Sequence, residues 1–121
     1  MEKRSKVLTP DEAECRIQAE CFQWHWNTYP LERMRLFMNY NTPPNKIAGA
    51  QLKAQGMVAG VADMSYLLPH GKVAFIEFKT EIGKQSANQL DFQAVCMALQ
   101  IPYFICRSLE EFKEIILGLQ Q

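Results

Sequence analysis

At 121 residues, with 48% apolar and 21% charged residues, the chain has the composition of one soluble globular domain with a modest core. No apolar run approaches the about 18 residues of a membrane span. No apolar signal core follows Met1-Glu2-Lys3-Arg4-Ser5-Lys6 either, so a cytoplasmic protein without membrane contact is expected. The zero formal net charge speaks against a strongly basic nonspecific DNA binder.

The polar stretch 1–8 is expected to be flexible. Thr9-Pro10-Asp11-Glu12 reads as a helix start, with Thr9 as N-cap, proline in the first turn and acids after it. The helix should reach about residue 27, with Ile17, Cys21, Trp24 and Thr28 near one stripe. Glu14 and Gln18 flank that stripe on one side and Glu20 on the other, and periodicity does not choose between the two glutamates. Trp24 is expected in the core and Trp26 at partial burial. Tyr29-Pro30 ends the helix, residues 34–40 read as a strand, and Asn41-Thr42-Pro43-Pro44-Asn45 as a loop. A second helix over 46–55 carries Lys46 and Lys53 and stops at Gly56. Its small residues Ala48, Gly49 and Ala50 suit close packing or, alternatively, the approach of a phosphate to the backbone. Gly60 fits a left-handed backbone or room beside a bound ion.

Two β-rich runs then flank Pro69-His70-Gly71, which reads as a hairpin with a three-residue loop. That loop sets Leu68 opposite Lys72 and, counting outward, Asp63 opposite Glu77. Alternation puts Glu77 and Lys79 on one face and Ile76 and Phe78 on the other. Ser86 caps a third helix to about residue 99, with an expected apolar stripe of Leu90, Ala94, Met97 and Val95. Gln85 and Gln89 sit at its start, where free N–H groups suit phosphate, and Lys84 adds charge. Residues 101–106 form a short buried strand, and Ser108 with Glu111 forms a capping box opening the last helix, through Phe112, Ile115, Ile116 and Leu119. The four cysteines lack CxxC spacing, so they read as reduced core residues and not as a zinc site. The order α-β-α-β-β-α-β-α, with a parallel crossover after the hairpin, defines an α/β fold. It has a mixed sheet flanked by helices.

Asp63, Glu77 and Lys79 on apolar strands need a compensating partner, because two desolvated carboxylates repel each other. A hard divalent cation such as Mg²⁺ supplies it, the alternative being a surface ion pair on a half-exposed hairpin. The lysine can then orient or deprotonate a water, or stabilise charge on a phosphate.

Gly60-Val61-Ala62-Asp63 with Glu77-Phe78-Lys79 resembles the signature of the PD-(D/E)XK nucleases, and more narrowly of their VRR-NUC branch. The likeness extends to Glu14-x-x-Ile17-Gln18 with Cys21 and Trp24, to Tyr29-Pro30, and to Asn45-Lys46. It continues through Gly49-Ala50-x-x-Lys53-Ala54-x-Gly56 and Gly83-Lys84-Gln85-Ser86-x-x-Gln89. It runs from about Glu14 to Ser108, and Ala62 departs from the proline that often precedes the aspartate. The resemblance implies a single VRR-NUC-like domain over 1–121 with a restriction-endonuclease-like core. It implies Glu14, Asp63, Glu77 and Lys79 as catalytic residues, with Asp63, Glu77, Glu14 and the Phe78 carbonyl as ligands to Mg²⁺ or Mn²⁺. It favours Glu14 over Glu20. Gln18, Lys46, Lys53, Lys84, Gln85, Ser86 and Gln89 become candidates for DNA contact. The activity implied is a DNA endonuclease without a small-molecule cofactor, structure-selective like a Holliday-junction resolvase and working as a homodimer. The alternatives are a nuclease without structure preference, targeted by a partner, or a non-catalytic DNA-binding module on the same fold.

Overall fold

The computed structural model describes residues 7–121. The stretch 1–6, most of the segment expected to be flexible, lies outside the described residues. Among the described residues nine elements follow one another: α1 (Pro10–Thr28), a 3-10 turn (Pro30–Glu32), β1 (Leu36–Met38), α2 (Lys46–Ala54), β2 (Met64–Leu68), β3 (Lys72–Phe78), α3 (Ala87–Ala98), β4 (Tyr103–Cys106) and α4 (Leu109–Leu119). The strands form one mixed sheet in the order β1-β2-β3-β4, antiparallel except for the parallel pair β3–β4.

Local chemistry fixes most boundaries. Thr9 caps α1 in a full capping box with Glu12, and Ser86 caps α3 in another with Gln89. Ser108 caps α4, but the second half of the expected box is absent: Glu111 accepts the Arg107 N–H at 3.2 Å instead. β1 is shorter than the expected strand because Met34 takes a left-handed φ of 76°, which breaks extended geometry before Leu36. In the hairpin Leu68 pairs with Lys72, and His70 and Gly71 both carry positive φ.

Alternation then sorts the sheet. Met64, Tyr66, Ala74, Ile76, Phe78 and Cys106 are buried together with Cys21 of α1 and Phe112 and Ile116 of α4. Trp24 packs edge-on against Phe112 and Tyr29, while Trp26 stays 40% exposed beneath the Arg33 guanidinium. On the opposite face Phe92 of α3 meets Phe75 at 5.1 Å and Tyr103 at 6.1 Å between ring centroids. α3 therefore packs through Phe92 and the buried Cys96. The expected stripe of Leu90, Ala94, Val95 and Met97 faces outward instead. Within β4 only Cys106 is fully buried.

A polar cluster ties the end of α1 to the 3-10 turn. Buried His25 bonds Glu32 at 2.9 Å, and the Tyr66 hydroxyl and Gln120 also donate to Glu32. Burial pushes the Glu32 carboxyl up, but Tyr66, His25 and Arg35 together hold it below its usual range.

Gly60 shows why the chain before β2 is small. Its φ is +89°, and a Cβ there would stand 2.3 Å from the Asn88 carbonyl oxygen. At Gly71 φ is +72°, but nothing lies within 4 Å. Gly60→Ala should therefore cost about 2 kcal/mol or more, roughly 8 °C in melting temperature, and Gly71→Ala only about 1 kcal/mol. Thermal melting of the two variants side by side checks this contrast between backbone collision and backbone strain alone.

Candidate active site

The hairpin register carries the site. Met64 pairs with Ile76, so Asp63 falls opposite Glu77 just before β2 begins. Asp63 Oδ2 accepts the Phe78 N–H at 2.7 Å, which fixes the aspartate against β3. Glu77 and Lys79 are only 1% and 7% exposed, the expected pair on one face. Lys79 Nζ lies 3.7 Å from Glu14 Oε1, so the N-terminal half of α1 delivers a third carboxylate. Glu20 is exposed and takes no part in the cleft.

Burial drives the Glu77 carboxyl up to about 9, and neighbouring Asp63 adds to the rise while Lys79 and Tyr103 oppose it. Burial also raises Glu14; Lys79 opposes this, and Asp63 and Asp11 reinforce it. The Tyr103 hydroxyl donates to Glu77 Oε2 at 3.3 Å.

A cleft of about 650 Å³ opens in front of this group, with Glu14, Asp63 and Lys79 on its wall. Gln18, Lys84, Ser86 and Gln89 line it as well. Three other candidates are placed differently. Gln85 turns inward to Gln93 and Tyr103, and Lys46 and Lys53 sit exposed on α2 away from the cleft wall. Gly49 of α2 is buried against Pro43, so this small-residue stretch serves packing there.

Several contributors went unread in the sequence. Asn39 and Asn41 donate to the Ala62 and Val61 carbonyls, each at 2.9 Å, and the Asn39 N–H bonds the Asp63 carbonyl at 2.8 Å. They brace the segment that presents Asp63. Their i, i+2 spacing at the end of a strand was the available signal. Arg107 Nη1 donates to the Thr80 and Gly83 carbonyls at 2.6 and 2.8 Å, holding the turn after β3. Tyr103, a hydroxyl within an otherwise apolar strand, was the other signal.

Among the described residues no three His, Cys, Asp or Glu side chains form a group arranged to hold a metal ion. The donor chemistry nevertheless fits a hard divalent cation. Asp63 and Glu77 are adjacent oxygen donors, and the cleft wall carries Asp11, Glu14 and Asp63 against Lys79 and Lys84. A phosphodiester approaching that wall meets more negative than positive charge unless a cation lies between.

The chain matches no family model, no curated protein and no solved structure at a significant level.

The Glu77 proton has a thermodynamic consequence. The folded chain keeps it up to about pH 9, whereas an ordinary glutamate loses it near 4.5. Between those values the folded state binds more protons than the unfolded one, so stability falls as pH rises. In EDTA, Glu77→Gln should remove this slope. The melting-temperature difference between wild type and variant should drop by several degrees across that window.

Proposed function

We propose that this chain is a metal-dependent DNA endonuclease of the VRR-NUC type of PD-(D/E)XK nucleases, built on a restriction-endonuclease-like core. The observation that carries the reading is a buried Glu77 beside Asp63, directly behind a cleft of about 650 Å³ whose wall carries Asp63, Lys79 and Glu14. Structural ion pairs have little reason to set two carboxylates together in a sheet interior.

Asp63, Glu77 and the Phe78 carbonyl would hold Mg²⁺ or Mn²⁺, with Glu14 completing the set. A divalent cation there supplies charge neutralisation at the phosphate and lowers the pKa of water. Lys79 Nζ orients the attacking water and stabilises negative charge as the water oxygen bonds phosphorus and the P–O bond to the leaving strand breaks; the water's proton passes to solvent, and the leaving oxygen takes a proton from solvent to end as a hydroxyl. Gln18, Lys84, Ser86 and Gln89 contact the phosphate backbone along the cleft. The first turn of α3 adds N–H groups beside Ser86. The proposed substrate is branched DNA, cut by a homodimer whose two sites face paired strands. The zero net charge favours one second reading: a nuclease without structure preference, brought to DNA by a partner. Among the described residues no helix is long and apolar enough to cross a membrane.

Mg²⁺ or Mn²⁺ should support cleavage and Ca²⁺ little, since Ca²⁺ takes more ligands at longer distances. A panel of single strand, duplex, flap, splayed arm and four-way junction separates the two substrate readings, and equal activity in EDTA refutes the metal mechanism.

Lys79→Ala should lower single-turnover cleavage on the order of 10²-fold or more while DNA binding and folding survive. Lys79→Arg should not restore it, because its planar fork differs in shape and does not readily lose a proton. Near wild-type cleavage with a lowered melting temperature would make Lys79 structural. Sedimentation equilibrium at micromolar concentration tests the homodimer, and a monomer alone would refute it.

A further inference from the structure

A chain of side-chain hydrogen bonds leads from α3 to Glu77. Gln85 Nε2 donates to Gln93 Oε1 at 2.9 Å and to the Tyr103 hydroxyl at 3.2 Å, and that hydroxyl donates to Glu77 Oε2 at 3.3 Å. The order gives the chain a direction. One amide nitrogen carries two hydrogens, and both are used. The tyrosine oxygen accepts one of them, so its own hydrogen is left for Glu77. Its ring is restrained by Phe92, 6.1 Å away between centroids. The parallel register places Tyr103 opposite Phe75, two residues before Glu77 and on the same face of the sheet.

We propose that Tyr103, oriented by Gln85 and Gln93, is a positioning residue that fixes the rotation of the Glu77 carboxyl for binding a divalent cation. This rests on the nuclease reading. Glu77 has no water shell to hold it, being 1% exposed, so its rotamer is set by its neighbours, Asp63 on one side and the Tyr103 hydroxyl at Oε2 on the other. Outer-shell groups of this kind hold ligand carboxylates in place, and their loss usually weakens metal binding. Gln85 thus acts through Tyr103.

Tyr103→Phe removes only the hydroxyl and keeps the ring against Phe92. Mn²⁺ binding to the DNA-free protein, by isothermal titration calorimetry, should weaken roughly tenfold in this variant. The Mn²⁺ concentration for half-maximal single-turnover cleavage should rise by the same factor. The melting temperature in EDTA separates this from loss of fold, which a purely structural tyrosine would lower without changing Mn²⁺ affinity. Gln85→Met, which breaks the chain one link earlier, should weaken Mn²⁺ binding in the same direction and by less. Wild type that binds Mn²⁺ with Tyr103→Phe equal to it overturns the positioning role and leaves the nuclease reading standing. Wild type that binds no Mn²⁺ overturns both. If Tyr103→Phe does not fold, Gln85→Met gives the reading. Unfolding of both would make the chain structural and end the proposal.

Discussion

The structure turns on the placement of one carboxyl group, that of Glu77, inside the sheet beside another acid. Desolvating an ionised carboxylate costs several kcal/mol unless charge or hydrogen bonds compensate. Here the compensation comes from every side. Lys79 lies two residues on along the same strand, Tyr103 reaches across from β4, and Asp63 is tied down by the Phe78 N–H. Glu77 also keeps its own proton. Glu14 then answers the lysine from α1. Remove the register of the hairpin and all of these distances go together, because a one-residue slip would turn Glu77 and Lys79 to the core face where Phe78 now packs on Phe112.

That dependence explains why the segments around the sheet are braced so thoroughly. Asn39 and Asn41 lock the two residues before Asp63 by their carbonyls. Gly60 lets the same segment touch the first turn of α3 at a distance no Cβ permits. On the other side Arg107 grips the turn that follows Lys79. Gly83 of that turn lies over Thr80, where a Cβ would stand 3.0 Å from the Thr80 hydroxyl, and beside Glu14 at ordinary contact distance. These are contacts between loops and strand ends, and they set the carboxylates relative to one another more directly than the hydrophobic core does.

Features decided within a few residues were legible in the sequence. The hairpin loop with Gly71, the caps Thr9 and Ser86, and the facing of Asp63 and Glu77 all follow from local turn chemistry and a period of two. α3 was not legible in the same way. It carries apolar residues on most of its surface, and two stripes fit helical spacing: Leu90, Ala94 and Met97, or Phe92 and Cys96. The choice was made by aromatic packing on Phe75 and Tyr103, which no window along the chain contains. Gln85 was read incompletely for a related reason. A glutamine just before a helix start suits a phosphate, but here a buried acid on a distant strand claims it through Tyr103. The Ser108–Glu111 box was half realised because the Arg107 N–H took the glutamate.

Charge balance links the scaffold to the proposed chemistry. With Glu77 protonated, Lys79 offsets one of the two remaining acids of the inner group, Glu14 and Asp63, and the group is left negative. A divalent cation that exchanged for the Glu77 proton would leave the same four side chains and the ion neutral together. The raised affinity of Glu77 for its proton and the affinity expected for a cation thus share one cause, the crowding of oxygen donors away from water. A site built for an ion pair alone would have matched each acid with a base and left no such surplus. On the nuclease reading the surplus is what makes the cleft hospitable to a phosphodiester only when the cation is present. On that reading the condition also reconciles an acidic wall and a zero net charge with a DNA substrate.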